Sequence, residues 1–164
     1  MVTFKGNSVS LSGKTLNVGD SAPKVELVAG DLSVKSVGGA NGKFQIINVV
    51  PSLDTGVCAT QTRKFNEKAA SLSNAEVSVV SLDLPFAQGR FCSTEGIKNV
   101  VALSDFRNKA FGEAYGVILA GSPLEGLLTR AVFVVNPEGK IVHKEIVSEI
   151  TSEPDYEAAL AAVK

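Results

Sequence analysis

The chain has 164 residues, 45% apolar and 20% charged, which predicts one domain over 1–164 with a core large enough to fold without metals or a disulfide framework. Sixteen basic and seventeen acidic residues nearly cancel and form no run, so the basic face that a nucleic acid or an anionic membrane selects is missing. Two cysteines and one histidine exclude a disulfide scaffold and leave no metal-ligand spacing; the reading has no metal and no cofactor. Met1 to Asn7 lacks the apolar stretch of a secretory signal, and the longest apolar runs, such as Ala131 to Val135, are too short to cross a bilayer. The expectation is a soluble, cytoplasmic protein whose two cysteines are either inert packing or redox chemistry.

In chain order, Thr3 to Leu16 reads as an N-terminal β-hairpin, with strands at Thr3-Phe4-Lys5 and Val9-Ser10-Leu11 about a Gly6-Asn7 turn. Gly19 to Pro23 is a loop, and Lys24 to Ala29 alternates as a strand does. Phe44 to Val50 is β-branched and nearly all apolar, as a strand buried on both faces should be, and Pro51 ends it. Val57 to Leu72 predicts a helix with Phe65, Ala69 and Leu72 inward and Arg63, Lys64, Glu67 and Lys68 outward. Glu76 to Leu82 is a second buried strand, so Phe44 to Leu82 forms a β-α-β unit with an expected right-handed crossover.

Phe86 to Ser93 reads as a short helix, Val100 to Leu103 as a short strand, and Asn108 to Tyr115 as a helix stopped by Gly116. Arg130 to Val135 and Lys140 to Val147 flank Asn136-Pro137-Glu138-Gly139, which has the residues of a type I turn and predicts an antiparallel hairpin. The last helix starts at Glu153-Pro154-Asp155, with Pro154 in its first turn and Tyr156, Ala159, Leu160 and Val163 inward. Such an order is α/β: a central mixed sheet flanked by helices, which suits a thioredoxin-like fold.

Chemistry concentrates after the first buried strand. That strand brings the chain to its carboxyl end, where open α/β sheets place their sites, and Cys58 then falls in the first turn of a helix. Unpaired N–H groups and the positive end of the helix dipole favour a thiolate there. Thr55 stands three residues earlier, within reach of the sulfur or of a bound oxygen. Free cysteine is also among the most buried residue types, so placement alone leaves packing and function both open. Ionisation alone adds little: a thiol of pKa about 8.5 is roughly 3% ionised at pH 7, so full ionisation gains at most about thirtyfold. Cleaving an O–O bond further requires fixed donors for the leaving oxygen, each worth roughly a hundred- to a thousandfold in other enzymes.

Pro51, Thr55 and Cys58 match the Pro-x-x-x-Thr-x-x-Cys signature of the peroxiredoxins. The longer string Pro51 to Ala59 resembles the bacterial thiol peroxidase subfamily, the atypical two-cysteine peroxiredoxins. So do Thr62-Arg63-Lys64-Phe65-Asn66, Arg90 to Gly96, Leu128 to Val132 and Glu153 to Leu160. Several separated motifs in order spread the resemblance over essentially the whole chain. It implies a thioredoxin-like fold, an A-type homodimer, hydroperoxides as substrates and thioredoxin as reductant. Residue by residue it makes Cys58 the peroxidatic cysteine and Cys92 the resolving one, has Thr55 and Arg130 hold the peroxide, and has Pro51 shield the sulfenic acid. Cys58 and Cys92 stand 34 positions apart, so they are no Cys-x-x-Cys pair, and bridging them calls for local unwinding around one or both.

Other chemistry-bearing residues read as structural. His143 lies in a predicted strand with nothing around it to activate a thiol, Arg63 and Arg90 are open between solvated helix faces and cations that support the site around Cys58, and Gly38-Gly39 and Gly121 are turn glycines. Val117, Ile118, Leu119 and Leu124 are open between a substrate entrance, a dimer surface and core. Beside the peroxidase stand two other readings: a non-enzymatic peroxide sensor or relay, and a thioredoxin-like binding domain with structural cysteines.

Overall fold

The computed structural model describes residues 1–163, and its organisation follows from one strand buried on both faces. Strand β5 (Phe44–Val49) has Ile46, Ile47 and Val49 fully enclosed. It continues through the helix α1 (Gly56–Ala69) to the parallel strand β6 (Ala75–Ser81). On its other side it pairs antiparallel with β9 (Ala131–Val135), which turns back into β10 (Ile141–Ile146). Helix α2 (Pro85–Glu95) follows β6 and leads to β7 (Val101–Ser104), again parallel to β6. The antiparallel pair β3 (Val25–Ala29) and β4 (Val34–Val37) completes a mixed seven-stranded sheet in the order β10-β9-β5-β6-β7-β3-β4.

A smaller sheet combines the hairpin β1 (Val2–Phe4) and β2 (Asn7–Ser12) with β8 (Ile118–Ala120). Helices α3 (Ala110–Tyr115) and α4 (Tyr156–Ala161) complete the described elements, and among the described residues no helix is long and apolar enough to cross a membrane.

Alternation along the central strands makes two cores. Ile46 and Val50, with Val132 and Val134, face Phe65 and Ala69 of α1, Phe91 of α2 and Ala159 of α4; Cys58 belongs to this cluster. Ile47 and Val49, with Ala131, Phe133 and Val135, face Phe111 and Tyr115 of α3. Tyr115 stacks on Phe111 at 4.3 Å and meets the edge of Phe133 at 5.1 Å, while its hydroxyl donates to the Pro23 carbonyl at 2.8 Å. Gly38, at φ +79°, passes so close that a Cβ there would lie 1.9 Å from the same carbonyl oxygen.

Several boundaries differ from those read in sequence. The first turn is Lys5-Gly6 rather than Gly6-Asn7: both residues have positive φ (50° and 82°), the geometry of a type I′ hairpin turn, and the Gly6 amide is held by the Glu149 carboxylate. Helix α1 stops at Ala69, short of Leu72, although Leu72 still packs on the same core. Helix α3 starts at Ala110 rather than Asn108, because Lys109 is left-handed and Asn108 Oδ1 accepts from the Ala110 amide. Pro154 lies outside α4, whose N-cap is Asp155, accepting from the Ala158 amide. Strands β4 and β8 carry no sequence prediction; Val117, Ile118 and Leu119 are buried core. The Asn136–Gly139 turn closes as expected: the Gly139 amide donates to the Asn136 carbonyl at 2.9 Å.

The hairpin is latched to the segment after β10. Thr3 exchanges backbone bonds with Ser148 and Ile150, and the Glu149 carboxylate accepts from the amides of Gly6 and Thr151 and from the hydroxyls of Thr3 and Thr151. The Thr151 amide, then the Gly6 amide, draw the Glu149 carboxyl from its ordinary 4.5 down to about 2. A depressed carboxylate pKa means that its contribution is full above pH 4.5 and is lost as pH falls towards 2. Amide exchange at Gly6 is therefore expected to accelerate across that window in the wild type, and to be already fast and insensitive to pH across it, beyond intrinsic exchange, in Glu149→Gln.

Candidate active site

The parallel strands β5, β6 and β7 end at one edge of the sheet, and Cys58 sits there as the third residue of α1. Pro51 is buried in a bend after β5. Thr55 is extended (φ −104°, ψ 148°) and serves as N-cap, its carbonyl accepting the first helical bond from the Ala59 amide at 3.0 Å. The amides of Gly56, Val57 and Cys58 thus precede the helical ladder, their N–H groups directed to the end where the sulfur lies.

The Cys58 side chain is fully buried, and its Sγ accepts from Nη2 of Arg130 at 3.2 Å. Arg130 immediately precedes β9 and is itself only 2% exposed. Its other two nitrogens also donate: Nε to the Ile150 carbonyl at 2.8 Å and Nη1 to Gln61 Oε1 at 2.9 Å. Gln61 Nε2 in turn donates to Asn48 Oδ1 at 3.3 Å, and Asn48 Nδ2 to the Ser78 carbonyl at 3.2 Å. Among the described residues Arg130 has no carboxylate ion-pair partner. A buried guanidinium is thus held in one plane by neutral acceptors and a sulfur, with each contact aiming the fork at Cys58.

Gln61 and Asn48 were not singled out from the sequence. A signal existed for Gln61: positions 58, 61, 62, 65 and 69 share the inward face of α1, where a glutamine among apolar neighbours needs a polar partner. Thr62, on the same face, returns its hydroxyl to the Cys58 carbonyl at 2.9 Å. Asn48 likewise interrupts an apolar strand.

Of the sequence candidates, Arg130 meets Cys58 directly. Thr55 is exposed and its hydroxyl donates to the Ser52 carbonyl at 3.0 Å, which leaves the oxygen lone pairs free to accept. Cys92, on α2, is half-buried against the cluster that holds Cys58; both cysteines are free thiols. It also borders a hollow of about 270 Å³ walled by Gly30, Gln88, Ile97 and Ala102. Arg63 pairs with Glu95 at 3.2 Å and Arg90 with Asp54 at 3.4 Å, both on the surface, while His143 lies on β10, away from the sulfur's contacts.

The family model described as Redoxin matches residues 17–160. A thiol peroxidase of Campylobacter jejuni is 61% identical over 94% of this chain and 87% of its own length, and one of Helicobacter pylori is 50% identical over 99% and 98%. Among solved structures, a peroxiredoxin-like protein from Aquifex aeolicus superposes with a TM-score of 0.95 at 49% identity, covering 98% of this chain and 94% of that one. The thioredoxin-like peroxiredoxin fold expected from sequence is therefore present, and the chain belongs to the redoxin family. Within that family it is a bacterial thiol peroxidase, a peroxiredoxin enzyme.

Burial pushes the Cys92 thiol above its ordinary value of 9.0, since an anion there would forfeit hydration. In a Cys58→Ser background, the pH midpoint for iodoacetamide modification of Cys92 should therefore lie higher in the folded protein than in urea. The reverse order would mean that the folded state favours a Cys92 thiolate.

Proposed function

We propose that this peroxidase attacks hydroperoxides with Cys58 and resolves the product with Cys92. One observation carries the reading: a buried guanidinium without a carboxylate partner donates to the Cys58 sulfur at 3.2 Å. A buried cation is costly unless an anion offsets it, and a Cys58 thiolate is the anion that this geometry accommodates. The thiolate attacks the nearer oxygen of ROOH; the O–O bond breaks, its electron pair leaves with RO⁻, and a proton completes ROH. Arg130 and the first amides of α1 are donors for the growing negative charge, and the Thr55 oxygen accepts the peroxide O–H. Pro51 covers the site and keeps water from the sulfenic acid.

The Cys92 sulfur, once deprotonated, then displaces hydroxide from Cys58–SOH, which leaves as water and closes an intramolecular disulfide. Local opening of the first turn of α1, of α2, or of both brings the two sulfurs together, and α2 has the weaker supports. It carries Gly89 at an exposed interior position, which costs about 0.5–1 kcal/mol relative to alanine, and its ion pairs Arg63–Glu95 and Arg90–Asp54 are solvent-exposed, a class worth about 0–1 kcal/mol each. Faster amide exchange in α2 of the oxidised protein than of the reduced one is the expected signature.

Thioredoxin is the proposed reductant, its dithiol reducing the disulfide by exchange. The working unit is a homodimer: exposed Leu84, Phe86 and Phe106 follow β6 and β7 at the sheet edge that carries Cys58, and a second copy would cover them. We read 1–164 as a single domain.

Turnover with peroxide, thioredoxin and thioredoxin reductase tests the scheme. Cys58→Ser is expected to be inactive, and Cys92→Ser to complete one oxidation and then stall unless an external thiol is added. Thioredoxin-linked turnover at the wild-type rate in Cys92→Ser removes Cys92 from the mechanism. Arg130→Lys, which replaces a planar fork by a point charge, should lower the rate of peroxide reduction by roughly a hundred- to a thousandfold.

A further inference from the structure

Asp83 joins β6 to α2 and touches neither cysteine, yet its carboxylate reaches into the loop that precedes Cys58. Oδ1 accepts from the Ser52 hydroxyl at 2.7 Å; Oδ2 accepts from the Leu53 amide at 2.8 Å and from the Ser81 hydroxyl at 2.8 Å. Ser52 is where the loop is organised. Its hydroxyl oxygen accepts from the Asp54 amide at 3.2 Å, and its carbonyl accepts both the Thr55 amide at 3.2 Å and the Thr55 hydroxyl at 3.0 Å. Residues 51–55 belong to neither strand nor helix, so no ladder supports these groups. A path of hydrogen bonds therefore runs from a residue anchored on β6 to the hydroxyl of Thr55.

Asp83 is itself braced. Its amide donates to Ser81 Oγ, its carbonyl accepts from the Ser104 hydroxyl, and the fully buried Gln88 of α2 donates to Ser81 Oγ at 3.1 Å and to the Leu103 carbonyl at 2.9 Å. These bonds tie the ends of β6 and β7 and the first half of α2 into one frame. Thr55 is exposed and can otherwise turn with its loop.

We infer that Asp83 is a positioning residue for peroxide reduction, acting through Ser52 to hold the Thr55 oxygen and the start of α1 where a bound peroxide meets Cys58. The inference rests on the reading of Cys58 as the attacking sulfur. Asn at position 83 keeps the shape but turns one of the two acceptor oxygens into a donor, so at least one of the Ser52, Leu53 and Ser81 donors loses its partner. Misplacing the loop should slow the reaction that needs peroxide geometry and spare the one that needs only a reactive sulfur.

The test uses the full chain in a Cys92→Ser background, so that only the first step is read. Two rates are compared: sulfenic acid formation with hydrogen peroxide by stopped flow, and alkylation of Cys58 by iodoacetamide. Asp83→Asn is expected to lower the peroxide rate about tenfold or more while alkylation stays within about threefold. Ser52→Ala should shift the peroxide rate the same way by less, and the double variant should be no slower than Asp83→Asn, as for two residues in series.

A peroxide rate within about threefold of the parent in Asp83→Asn, or peroxide and alkylation rates that fall together, would overturn the inference. Should Asp83→Asn not fold, Ser52→Ala decides alone: a slower peroxide reaction with unchanged alkylation supports it, and an unchanged peroxide rate overturns it. A parent that forms no sulfenic acid on Cys58 sinks the reading of the cysteine instead, so the two failures are distinguishable.

Discussion

A guanidinium cannot sit in a protein interior without something to offset its charge, and at the end of β5 the group set against it is a sulfur. The contact between Arg130 and Cys58 is short and buried, and among the described residues no carboxylate pairs directly with the guanidinium; Glu153 feels its charge only from beyond ion-pair distance. Lysine would not reproduce it, because the fork is held at all three nitrogens, on Ile150, Gln61 and the sulfur. Much of the surrounding structure serves to make those acceptors converge. Helix α1 brings Cys58 and Gln61 to one face, Arg130 leads directly into β9, and the segment after β10 carries Ile150.

Support for that convergence comes from distant parts of the chain. The Ile150 carbonyl that receives Arg130 Nε belongs to a residue whose amide donates to Thr3 on the N-terminal hairpin, and its neighbour Glu149 latches the hairpin turn. Ile150 also packs with Val2, Val9 and Leu119 in the small-sheet core. The hairpin, remote from the sulfur in sequence, therefore backs the wall on which the guanidinium rests. On the other side Gln61 leans on Asn48, whose amide is bound to β6. Both polar side chains are buried, and each has its partner, as interior amides require.

The same architecture separates what must stay still from what must move. If Cys92 reaches Cys58 by opening of α2, the middle and end of that helix have to give way. They contain the helix's exposed glycine and are tied outward only by surface ion pairs. The start of α2 is different: Pro85 and Gln88 are buried there, and Gln88 bonds into the Ser81–Asp83 frame. On this arrangement the loop around Thr55 keeps its support on β6 while the Cys92 end unwinds. The difference lies in the hydrogen bonds: Gln88 ties the start of α2 to β6 and β7, whereas Phe91 and Cys92 hold its later part by apolar packing.

Local signals made much of this chain legible. Apolar runs marked β5, β6 and β9, helical spacing marked α1, and Asn136-Pro137-Glu138-Gly139 marked the turn between β9 and β10, because periodicity and turn chemistry act within a few residues. Cys58 could be placed at a helix start for the same reason, and the motif around it carried the family. Tertiary structure decided what depends on meeting at a distance. The Lys5-Gly6 turn is held from Glu149, 143 positions away, against the local preference for Gly6-Asn7, and β4 is paired with β3. Gln61, Asn48, Ser52 and Asp83 gave little sign of their parts, since a polar side chain shows what it can bond but not what will face it. The pattern of residues determined which segments would be buried and that Cys58 would stand at a helix start, and a family motif pointed to Arg130; only the packed fold decided that the two meet directly, because that contact joins residues 72 positions apart whose approach no local rule encodes.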